Sequence, residues 1–198
     1  MSQRLASTEF EAAPAGDGLL DAARACVLAV GVRRTTFSDV ARRAGVSRMT
    51  LYRRYPDLDA LLAALMTYEF GAVVAAARGA ARGEASCRER VVAVTVHGAS
   101  ALARDPLFAR LLDLDPELLL PYVTQRLGGM QRLAIADLTA ELERGASDGS
   151  VRAGSPAVLA SGIELIARGF VLAAHADHDA PLDPWAELGR AVGGYLRP

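Results

Sequence analysis

Between Arg33 and Arg54 the chain places seven arginines, Arg33, Arg34, Arg42, Arg43, Arg48, Arg53 and Arg54, around the turn Ala44-Gly45-Val46-Ser47, with Asp39 as the sole acid. Elsewhere fifteen arginines face 22 acids and lysine is absent, so the formal net charge of −1 hides a basic stretch on an acidic body. Such a separation creates an attractive field for a polyanion whatever the total charge. Side chains able to read a polyanion lie in the same stretch. Arg48 can donate a bidentate pair to a guanine edge, Thr50 can bond a base edge or a phosphate, and Met49 offers an apolar contact to a thymine methyl. Tyr52 and Arg53 suit phosphates, as do Thr36 and the backbone N–H groups at the start of the helix it would cap. The alternative is a solvated charged face on a helical hairpin.

The elements that would position these groups can be read from caps and spacing. Apolar residues recur at three- and four-residue intervals between Pro, Gly and Asp, and strand signals are nearly absent, so the chain is expected to be all-α. A first helix runs from about Asp17 to Val30 and stops at Gly31. A second starts at the cap Thr36, with Asp39 three residues on, and ends at Gly45. Ser47 is a fresh N-cap, Val46 and Leu51 can form a hydrophobic staple, and a short third helix reaches about Arg54. Ala41 lets the two helices approach, Gly45 accepts the left-handed conformation and Leu51 anchors the second helix, which then presents its N-terminus to a major groove.

The segment TTFSDVARRAGVSRMTLYRRYPDLDALL, with the preceding LLDAARACVLAVG, resembles the N-terminal domain of the tetracycline-repressor (TetR) family of bacterial transcription regulators. The match covers about Leu19 to Leu62, a quarter of the chain. The resemblance implies a homodimer on double-stranded operator DNA, one helix-turn-helix per subunit, and a variable helical domain for a small-molecule effector. It places DNA contacts on Thr36, Ser47, Arg48, Met49, Thr50, Tyr52 and Arg53. Met49 stands where members usually have Gly, and Leu58 where they usually have a lysine, a phosphate contact for which Arg54 is the candidate substitute. The expected divisions are an N-terminal arm over 1–15, a DNA-binding domain over 16–60 and a ligand-binding and dimerisation domain over 61–198.

Asp57 after Pro56 caps a long fourth helix that could connect the two domains. Further helices are expected over Ser86 to Ala103, Pro106 to Leu112, Pro116 to Leu120, Pro121 to Arg144, Pro156 to Ala174 and Pro184 to Leu196, several opening with Pro after Asp or Ser. Gly128-Gly129 falls inside the Pro121 helix, where it would bend it. Tyr68, His97, Tyr122, Gln125 and Arg126 are polar candidates for a ligand cavity. The resemblance implies that the last two helices pair with their twins, and Leu159, Ile163, Ile166 and Phe170 with Trp185, Leu188, Val192 and Tyr195 are the apolar stripes that would do so; intrachain packing is the alternative.

Other chemistries find little support. Cys26 and Cys87 lie in Ala-rich helical segments and suggest neither disulfide nor metal knuckle. His175 to Asp179 could be read as a metal cluster, but it lacks a matching second half and fits a polar loop better. No nucleophile elbow, phosphate-cradling loop or zincin pattern occurs, so no cofactor and no enzyme is expected. The longest uncharged run, Val91 to Ala103, is shorter than the roughly 18 residues a membrane span requires, and no signal pattern opens the chain; a cytoplasmic regulator without membrane attachment is expected. A helical interaction module and a ligand-independent regulator are the competing readings.

Overall fold

A computed structural model describes residues 18–145, 147–174, 176 and 181–198, with backbone alone at 118, 119, 121 and 122. The arm over 1–15 and most of the His175 to Asp179 loop lie outside the described residues. Ten helices are present among the described residues: α1 (Gly18–Val30), α2 (Phe37–Ala44), α3 (Arg48–Arg54), α4 (Leu58–Ala80), α5 (Cys87–Ala103), α6 (Pro106–Leu114), α7 (Pro116–Thr124), α8 (Gly129–Gly145), α9 (Pro156–Ala173) and α10 (Pro184–Tyr195).

Two apolar cores organise them. The first joins Leu20, Ala23 and Val27 of α1, Phe37, Val40 and Ala41 of α2, Leu51 of α3, Leu61 and Leu65 of α4, and Leu107 of α6. The second takes Phe70 from the same α4 and combines it with Val91 of α5, Phe108 of α6, Leu138 and Leu142 of α8, Ile163 of α9, and Leu188 and Val192 of α10. Helix α4 therefore runs through both cores, and α5 stands at the centre of the body, packed against α4, α8, α9 and α10. By length and composition α4 and α9 could each cross a membrane, but their charges are used inside the fold: Glu69 of α4 pairs with Arg24 of α1 and Glu164 of α9 with Arg168.

Helix starts follow their caps. Ser86 and Glu89 form a reciprocal capping box on α5, while Asp105 and Asp183 cap α6 and α10 ahead of Pro106 and Pro184. The expected break at Pro121 is corrected: α7 continues through it to Thr124, and the chain breaks instead before the glycine pair, with Gly129 opening α8. Gln131, three residues into the new helix, turns its side-chain oxygen back to accept the Gly128 N–H. That contact stabilises a helix start at a place where two glycines would cost about 1 kcal/mol each inside a helix.

The stripes expected on the last two helices are divided between the chain's own core and its edge. Leu159 and Ile163 of α9 and Leu188 and Val192 of α10 are buried in the chain's own core, and Ile166, Phe170, Trp185 and Tyr195 pack against it. A Cβ at Gly162 would overlap the Tyr195 ring, so this small residue serves an intrachain contact. The outward face of α9 instead exposes Val158 at 64% and Leu165 at 61%.

Candidate nucleic-acid interface and cavity

The turn between α2 and α3 is a chain of short-range hydrogen bonds. Asp39 N–H donates to the Thr36 hydroxyl oxygen at 3.2 Å, and that hydroxyl donates to the Asp39 carboxylate at 2.6 Å. This bond, reinforced by Arg42 at 2.7 Å, holds the Asp39 carboxyl below its usual pKa. At the other end of α2, Gly45 adopts φ 69°, ψ 25°. Its N–H donates to the Arg42 carbonyl at 3.3 Å and the Val46 N–H to the Ala41 carbonyl at 3.0 Å. Those two bonds are the Schellman arrangement that a left-handed residue closes at little cost only when it lacks a Cβ. One residue later Ser47 accepts the Thr50 N–H at 3.1 Å, and its hydroxyl lies 2.9 Å from that of Thr50.

Leu51 is completely buried and pins α3 to the first core, which fixes the side chains that remain outside. Met49 is 74% exposed and Tyr52 47%, with Arg48, Arg53 and Arg54 exposed beside them. Tyr52 is held edge-on against Phe37, ring centroids 4.7 Å apart, so its hydroxyl end projects from a fixed base. Thr36, Ser47, Arg48, Met49, Thr50, Tyr52, Arg53 and Arg54 thus come together on α3 and the start of α2. Arg54 also lies 5.6 Å above the Tyr55 ring.

Three further arginines of this stretch also have partners within the chain. Arg42 pairs with Asp39, Arg34 donates to the Val30 carbonyl at 2.9 Å, and Arg33 reaches Asp115 and Glu117. Arg33 belongs to a contact that the sequence did not reveal. Asp115, at the corner between α6 and α7, is only 2% exposed and accepts the Val32 N–H at 2.9 Å across 83 residues. The loop before α2 is thereby tied to the body.

Behind that corner the body holds an open-sided cavity of about 770 Å³, within the range of small-molecule sites. Its walls come from α4, α5, α6, α7, α8 and α9 and are mainly apolar, with Met66, Phe70, Val94 and Phe108 among them. Val32, beside Arg33, also lines it, so cavity and DNA-facing unit share a wall. Of the five polar candidates, Arg126 borders the cavity. Tyr68 packs against the first core, His97 is exposed with Nδ1 2.8 Å from the Ala93 carbonyl, Gln125 is exposed and outside the lining, and the Tyr122 side chain lies outside the described residues. Polar groups that do line it include Thr67, Thr95, Gln131, Asp137, Glu164 and Arg168. The i,i+4 pair Glu164–Arg168 in the otherwise apolar α9 was a legible signal for two of them.

Comparison with known proteins agrees with this geometry. The family profile "Bacterial regulatory proteins, tetR family" matches residues 19–65. The HTH-type transcriptional regulator Mb2274c of Mycobacterium bovis is 37% identical over 193 residues, 96% of this chain and 98% of that protein. Among solved structures, the transcriptional repressor QsdR of R. erythropolis, from the TetR family, superimposes with a TM-score of 0.66 at 19% identity, covering 90% of this chain and 92% of its own. The regulator FadR of Bacillus subtilis, in complex with stearoyl-CoA, superimposes with a TM-score of 0.59 at 19% identity, over 91% and 96%.

Proposed function

The chain belongs to the tetR family of bacterial regulatory proteins and is a DNA-binding transcriptional regulator, not an enzyme, and from that premise we infer that it is a cytoplasmic, homodimeric repressor released from its operator by a small apolar or amphipathic ligand. The observation that carries the reading is α3 itself: a capped, anchored helix whose outward side offers Arg48, Met49, Tyr52 and Arg53 together. In this reading the unit over 16–60 holds DNA and the body over 61–198 holds ligand and partner. Arg48 reads a base edge, Met49 a methyl group, and Tyr52, Arg53, Arg54 and the Thr36 end of α2 hold phosphates, with Ser47 and Thr50 at the groove edge.

A dimer must set its two α3 helices about 34–36 Å apart to meet successive major-groove faces. The exposed Val158 and Leu165 on α9, with the half-buried Ile166, Phe170, Trp185 and Tyr195, are the apolar surface assigned to pairing in this reading. A ligand in the cavity then needs only to favour a wrongly spaced state, since a coupling of about 1–3 kcal/mol changes operator affinity roughly 5–150-fold. That the FadR neighbour is in complex with stearoyl-CoA supports such a role for the cavity.

The test is fluorescence anisotropy on DNA from the protein's own promoter, with unrelated DNA as competitor and salt varied. Competitor-resistant binding is expected, and Leu165→Arg is expected to leave a monomer by sedimentation with much weaker operator binding. Arg48→Ala should cost about 1–3 kcal/mol on the operator and relax specificity at one base, whereas Arg53→Ala should weaken all DNA alike and lower the salt slope by about one. Equal, weak binding to every DNA would overturn the reading.

A further inference from the structure

The two buried carboxylates of the cavity lining, Asp137 and Glu164, are matched within the chain. Arg168 Nη2 donates to Glu164 at 2.7 Å, and Arg78 pairs with Asp137. The hydroxyls already donate to backbone: Thr67 to the Ala63 carbonyl at 2.9 Å, Thr95 to the Val91 carbonyl at 2.7 Å. One wall contact differs, because a ligand can replace its acceptor. Arg168 Nη1 donates at 3.2 Å to the carbonyl of Val123, 45 residues away in the last turn of α7. A carbonyl in that turn has no partner within its own helix, and Val123 is 39% exposed, so water can take over when the arginine leaves.

We propose that the ligand of this cavity is an uncharged, mainly apolar molecule bearing a carbonyl group, as in an ester or ketone, and that this carbonyl replaces Val123 as the acceptor on Arg168. The proposal rests on the reading of the body as a ligand-binding domain and adds the chemistry that the site selects. One carbonyl exchanges for another, so the charge balance of the Glu164–Arg168 pair is unchanged. A carboxylate would set a second anion beside Glu164 on the same guanidinium. A plain hydrocarbon would fill the cavity and leave the Arg168–Val123 bond as it stands.

The exchange has a mechanical consequence. The Arg168 bond ties the C-terminal turn of α7 to α9, while the start of α7 adjoins Asp115, which accepts the Val32 N–H, and carries Glu117, which pairs with Arg33. Breaking the first tie frees one end of the helix whose other end holds the loop before α2.

Isothermal titration of the full-length protein with methyl decanoate, decanoate and dodecane tests the selection, with promoter-DNA affinity measured in parallel. Methyl decanoate should bind tighter than decanoate and should weaken DNA binding, whereas dodecane should bind without weakening it. Arg168→Met alone would strand the buried Glu164 charge, so the informative variant is Glu164→Gln with Arg168→Met, its fold checked by circular dichroism. In that variant the ester should lose about three- to tenfold in affinity, the worth of one hydrogen bond, while dodecane affinity is unchanged. Decanoate binding to the parent as tightly as the ester, or an ester affinity that is the same in the paired variant, would overturn the proposal while leaving a ligand-binding body. Binding of none of the three would remove the ligand-binding reading and the proposal with it.

Discussion

The helix-turn-helix and the cavity are held together over different distances along the chain. Around the turn, Thr36 bonds Asp39, Gly45 bonds Arg42, Val46 bonds Ala41 and Ser47 bonds Thr50, so no link reaches beyond five residues. Around the cavity, Val32 meets Asp115 across 83 residues and Arg168 meets Val123 across 45, and elsewhere in the body Cys87 meets Asp148 across 61. Short links let each helix of the turn be specified by its own neighbours. Long links make the shape of the cavity a property of the whole body, and allow a change in its wall to reach the loop before α2.

Leu51→Ala tests whether the turn is as local as its hydrogen bonds imply. Leu51 is the long-range element of that region, and truncating a fully buried leucine should cost about 2–5 kcal/mol in urea denaturation and abolish operator binding. A loss below about 1 kcal/mol would mean that the caps alone seat α3. Asp115→Ala attacks the longest link from the other side. It leaves the Val32 N–H without its acceptor, for an expected loss of about 1–3 kcal/mol, and should reduce the effect of ligand on DNA affinity more than it reduces ligand affinity. Equal ligand control in the variant would show that coupling runs elsewhere.

Smaller effects mark the ends of the comparison. Thr36→Ala removes one local cap and should cost about 1 kcal/mol, seen first as faster amide exchange in the first turn of α2. Asp148 accepts bonds from Cys87 and Ser150, and the Ser150 hydroxyl first, then the Cys87 N–H, lowers its pKa to about 2. Because the folded value lies below the unfolded one of about 3.9, its contribution is present above that pH and fades as the pH falls through about 2. Melting temperature should therefore fall less between pH ~4 and ~2 in Asp148→Asn than in the parent chain; an unchanged slope would assign the acid response to other carboxylates.

The same distinction explains what could be read in advance. Caps such as Thr36, Ser47, Asp57, Ser86 and Asp183 lie within three residues of the N–H groups they satisfy, and the helices they open were legible. The break near Pro121 was misplaced because a proline is a stronger local signal than Gln131 reaching back to Gly128, although the latter also spans only three residues. For the last two helices, periodicity identified the apolar stripes of Leu159, Ile163, Leu188 and Val192 but could not say which surface would cover them. Among the arginines, composition gathered seven into one patch, and only the fold separated Arg33, held by Asp115 and Glu117, from Arg48 and Arg53 on α3.

By itself, then, the sequence determined the helices, the turn at Gly45 and the side chains that α3 carries, because each depends on backbone groups and caps a few residues apart. Tertiary structure decided which face of α9 is covered, which polar groups line the cavity, and that Asp115 joins the body to the DNA-facing unit. Those outcomes depend on which distant surfaces exclude water from one another, and no short window of sequence contains both partners.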